Sequence, residues 1–99
     1  MRGMFRLPKF SVVVWLRKTD DFPALRDELI GLAADDPYES TEYEGMVDFH
    51  WGFDHASQAN ELANLFRDVA KRPEIVVLRI MGDDANSSLT FKDERNVRH

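Results

Sequence analysis

Residues 45–54 read GMVDFHWGFD, and the alternation within them decides how the chain folds. Val47, Phe49, Trp51 and Phe53 are large and apolar, while Met46, Asp48, His50 and Gly52 between them are mixed, the two-residue period of a half-buried strand. One side of this strand belongs to a core, and the other carries an Asp/His pair two residues apart. A strand of this kind needs neighbours with the same period and helices to cover its apolar side, and the flanking sequence supplies both.

Upstream, residues 9–18 alternate again. Phe10, Val12, Val14 and Leu16 form an unbroken apolar face, and Ser11, Val13, Trp15 and Arg17 form the other. Thr19, Asp20 and Asp21 offer helix-capping oxygens, and Pro23 suits a first turn, where its missing N–H costs nothing. Phe22, Leu25, Leu29 and Leu32, with Ile30 and Ala33, then recur at helical spacing until Asp35, Asp36 and Pro37. Residues 38–44 alternate weakly and read as a short edge strand; Glu44-Gly45 is either a hairpin turn or a bulge in one longer strand.

Downstream, Asp54 is placed to cap a helix whose stripe of Ala56, Ala59, Leu62, Ala63, Phe66, Val69 and Ala70 runs to about Lys71, where Arg72-Pro73 ends it. Residues 74–81 form a strand with Val76, Leu78 and Ile80 on one side and Ile75, Val77, Arg79 and Met81 on the other. Residues 82–86 are a polar turn, and 87–92 a last strand with Leu89 and Phe91 facing inward. Residues 1–8 and 94–99 are expected to be loose ends of a single domain spanning 1–99.

The element order is β-α-β(-β)-α-β-β. Two helices with one apolar stripe each need one sheet face to cover, which predicts an α+β two-layer sandwich with both helices on the same side of a mainly antiparallel sheet. This order resembles the ferredoxin-like arrangement with an added C-terminal strand. The resemblance is one of element order and implies no functional residues.

Composition bounds the function. A chain of 99 residues is one domain, long enough to bury about 60–70% of its unfolded surface. Seven Phe and two Trp supply interior volume. A net charge of −5 repels phosphate backbones, so nucleic acid is not an expected partner. With no Cys there is no disulfide, thiolate nucleophile or Cys-based metal site. No run reaches the length of a membrane span and the opening residues lack a signal-peptide core, so a cytoplasmic location without membrane contact is expected.

The side of the sheet turned away from the helices is where function is expected. Val13, Trp15 and Arg17, then Asp48 and His50, then Val77 and Arg79, are the candidate partner-binding residues. The set is more apolar than open water favours, and contiguous apolar patches beyond a few hundred Å² commonly mark interfaces. A non-enzymatic binding or regulatory domain follows, with a second copy of the chain as the simplest partner. An inhibitor or immunity-type protein that covers a basic protein is the alternative, drawn from the net charge and from Glu39, Glu42 and Glu44.

A third reading is chemical. Asp48 and His50 have Cα atoms about 6.5–7 Å apart on one side of a strand. With His55 they could form an Asp/His/His metal or acid/base set, with Arg79 as an anion anchor. Neither a catalytic set nor a cofactor is expected: the set matches no helical or Cys-containing zinc pattern, and the serines sit in no nucleophile-elbow or phosphate-loop motif. Trp15 beside Arg17 is suited to stacking a base, but no basic-aromatic RNA motif accompanies it.

Overall fold

The computed structural model describes residues 8–82 and 88–94. Along the chain these form β1 (Phe10–Arg17), α1 (Phe22–Ala33), β2 (Glu39–Tyr43), β3 (Met46–Phe53), α2 (Ala56–Leu65), a 3-10 turn (Val69–Lys71), β4 (Ile75–Gly82) and β5 (Leu89–Asp93). The five strands make one antiparallel sheet in the order β2-β3-β1-β4-β5. The first four follow a ferredoxin-like arrangement, in which β3 lies between β1 and β2 of the first β-α-β unit; β5 extends the sheet beyond it. The fold is thus the α+β sandwich that the order of elements predicts.

The core lies between the helices and one sheet face. Val12, Val14, Leu16, Val47, Phe49, Trp51, Leu78 and Ile80 from the sheet meet Leu25, Leu29, Ala59, Leu62, Ala63 and Phe66, all buried in one cluster. Aromatic rings tie its middle together: Trp51 meets Phe66 edge-on at 5.1 Å between centroids, and Phe49 stacks on Phe22 at 6.2 Å. The Trp51 indole N–H donates to the Asp35 carbonyl at 3.0 Å, which ties β3 to the chain leaving α1. No helix among the described residues is long and apolar enough to cross a membrane.

Local geometry settles the open choices and alters several expectations. Glu44 (φ 51°) and Gly45 (φ 78°) both have positive φ between paired Tyr43 and Met46. This is the two-residue hairpin turn whose twist matches that of the strands, so β2 and β3 are separate strands. Asp21 is the N-cap of α1 but its side chain makes no capping hydrogen bond. His55, rather than Asp54, is the N-cap of α2.

The second helix stops at Leu65, and the apolar stripe continues into the 3-10 turn, where Val69 and Ala70 are still buried. In β4 the register shifts opposite Trp15 and Leu16: Trp15 pairs with Val77 and Leu16 with Ile75, leaving Val76 as an extra residue. That one-residue bulge reverses the expected parity at the start of the strand. Ile75 joins the core cluster, and Val76 is buried outside it.

At the two ends, Pro8 packs over Gly52 and the Glu94 N–H donates to the Val76 carbonyl at 2.9 Å, so neither of these residues is loose. The rest of the expected loose ends, 1–7 and 95–99, and most of the expected polar turn, 83–86, lie outside the described residues, as does Ser87 of the last strand.

Candidate functional site

Antiparallel pairing lays the residues of the helix-free face in rows across three strands. His50, Val13 and Arg79 are direct cross-strand partners on β3, β1 and β4, and Asp48, Trp15 and Val77 form the next row. Six of the seven candidates therefore share one patch. Arg17 lies apart at the end of β1, opposite Met46, and is exposed.

Burial alters the character of this patch. Val13 and Val77 are 1% and 0% exposed although neither belongs to the core cluster under the helices. The purely apolar part of the face is therefore not what it offers to solvent. Half-buried Trp15, Asp48, His50 and Arg79 are, with Met81 exposed beside them. The face is aromatic and polar, set on a floor of buried valines.

On the β3 side a chain of hydrogen bonds fixes the polar groups. Asp48 receives the Thr41 backbone N–H on Oδ1 at 2.8 Å and contacts His50 Nε2 through Oδ2 at 3.1 Å. The His50 ring meets Tyr38 edge-on at 6.0 Å, and the Tyr38 hydroxyl bonds Ser11 Oγ at 2.9 Å. The carboxylate thus orients the imidazole and pins the edge strand together. The His50 and Asp48 side chains are 19% and 13% exposed, so one side of the pair still meets solvent.

On the β4 side Arg79 is the odd group. Its Nε is buried and has no hydrogen-bond partner among the described residues. Removing part of a guanidinium from water without an acceptor is unfavourable.

The Asp48, His50 and His55 set does not assemble. His55 starts α2 beyond the end of β3 and is exposed, and no cluster of three His, Asp or Glu side chains fit to hold a metal occurs among the described residues. No family model, curated protein or solved structure matches this chain. Its site must be read from its own geometry. Sequence reasoning missed Tyr38 and Ser11, which sit outside the Asp48–His50 pair in sequence; the only available signal was a tyrosine at the start of an otherwise acidic edge strand.

Proposed function

We propose that this protein is a non-enzymatic binding or regulatory domain that acts through the helix-free face of its sheet, with a second copy of the chain as partner. The observation that carries this reading is the division of charge across the face: Arg79 with its orphaned Nε on β4, and the Asp48–His50 pair on β3, with Trp15 and Val13 of β1 between them.

Such a face is complementary to itself in one of the two simple stackings. A two-fold axis parallel to β1 sets β4 of one copy over β3 of the other, bringing each Arg79 to the partner's acidic side. A two-fold axis across the strands would set Arg79 over its own copy, with like charges opposed. Sheets stacked about 10 Å apart place Trp15 of both copies at the centre.

Light scattering coupled to size exclusion tests this. The 11.5 kDa chain is expected to run at twice its mass at high micromolar concentration, and Trp15→Glu or Arg79→Ala, each with an unchanged circular dichroism spectrum, to return it to monomer. A monomer at every concentration, indifferent to both substitutions, would refute it.

The acidic-inhibitor reading keeps some support from β2. All five of its residues are exposed, Glu39 and Glu42 among them, and Glu44 follows in the turn. Glu42 is bridged to Lys18 at 3.0 Å and the others are open to a basic partner.

A further inference from the structure

A cleft of about 520 Å³ opens at one end of the sandwich. It lies where the chain leaving α1 passes the end of β3. Tyr38, Trp51 and Phe53 supply aromatic wall, and Asp35, Asp36 and Asp54 stand around it. The described lining contains no Lys, Arg or His.

Three features of the cleft agree in sign. Aromatic faces carry negative quadrupole charge and attract cations, and of the three rings Tyr38 is the exposed one, Trp51 being 3% exposed. The C-terminal end of α1 points its negative pole here, with no basic side chain in its last turn to offset it. The Asp36 and Asp54 carboxylates have no hydrogen-bond or ion-pair partner among the described residues, whereas Asp35 Oδ1 accepts the Asp36 N–H at 2.9 Å. The volume exceeds what a bare ion fills, and the aromatic lining suits a charge carried on carbon and nitrogen rather than a metal.

We infer that this cleft binds an organic cation, the guanidinium or ammonium end of an extended chain. The same chemistry is offered by an arginine or lysine side chain of a protein and by a free alkylamine. This site shares Tyr38 with the β3 end of the sheet face, but Trp15 and Arg79 lie on the helix-free side of β1 and β4 and line no part of it.

The two tryptophans make the test specific. In a two-dimensional ¹⁵N–¹H titration of the whole chain, the Trp51 indole reports the cleft and the Trp15 indole the sheet face. Agmatine and the peptide acetyl-Gly-Arg-Gly-amide are the probes, with acetyl-Gly-Glu-Gly-amide as control. Saturable shifts are expected at the Trp51 indole and at the amides of Tyr38, Phe53 and Asp54, with the Trp15 indole unmoved.

Replacing the carboxylates in D36N/D54N, both at exposed positions, is expected to weaken binding about fivefold for each charge removed. Tighter binding of the peptide than of agmatine supports the cation site with a protein as source, and equal binding supports it with a free amine. The inference fails if neither cation gives a saturable shift by about 10 mM, beyond the range of even weak millimolar ligands. It fails equally if the glutamate peptide shifts the same resonances, if the Trp15 indole moves instead, or if D36N/D54N binds unchanged.

Discussion

At Gly52 the lack of a side chain decides how two distant parts of the chain meet. A Cβ built there would fall 2.6 Å from Cγ and 2.7 Å from Cβ of Pro8, and 3.3 Å from Cε1 of Tyr38. The proline ring has no flexible end to swing away, so Gly52→Ala must push Pro8 off the sheet or bend β3. Overpacking of this kind costs about 1–3 kcal/mol, and urea unfolding of the variant is expected to show that loss. The lost packing lies at the mouth of the aromatic cleft, so affinity for agmatine should change with it. Within residues 45–54 Gly52 reads as a gap in the alternation; what it makes room for lies more than forty residues earlier, and no local pattern encodes that. Arg79 teaches the same lesson. Its place on the helix-free face follows from period two, but the burial of its Nε does not.

Among the elements, β1 and β3 were legible almost to the residue because their alternation is uninterrupted and their core sides are uniformly bulky. Periodicity misled in two places, each for a physical reason. The stripe from Ala56 to Ala70 persists across the end of α2 because Phe66, Val69 and Ala70 stay buried while the backbone changes from α-helix to a 3-10 turn; burial pattern and hydrogen-bond pattern are separate properties. In β4 three consecutive aliphatics, Ile75, Val76 and Val77, are all buried, so composition cannot say which of them is the bulged residue.

The edge hairpin carries a prediction of its own. With all five residues exposed, β2 gains little from packing, and Asp48 Oδ1 supplies a charge-assisted bond to the Thr41 N–H. Asp48→Ala is expected to speed hydrogen exchange of the Thr41 amide about tenfold, since a hydrogen bond to a charged group contributes about 1.5 kcal/mol or more. Amides of β1 and β4 should keep their protection. If those amides exchange faster by the same factor, the carboxylate stabilises the whole sheet rather than its edge.

On the scale of the whole molecule, the two layers were readable because each helix has a single apolar stripe and one sheet face suffices to bury both. The cleft was not readable, since it joins residues 35–38 to residues 51–58 through the crossing of α1 past β3, a matter of topology rather than of any motif. The two proposed contacts of the molecule also differ in how they respond to its net charge of −5. Two copies meeting through Trp15 and the polar groups around it bring like net charges together, and only the Arg79 contacts oppose that repulsion. An incoming guanidinium or ammonium group is attracted by the same field. The Debye length shrinks from about 30 Å at 0.01 M salt to about 3 Å at 1 M, so added salt removes both long-range effects. Self-association measured by sedimentation equilibrium is therefore expected to tighten between about 0.02 M and 0.5 M sodium chloride, as exposed charges lose reach while the buried contacts are screened far less. Agmatine binding at the Trp51 indole should loosen over the same range. Self-association that weakens with salt would mean that exposed ion pairs hold the copies together, and the aromatic centre assigned to the sheet face would then be misplaced.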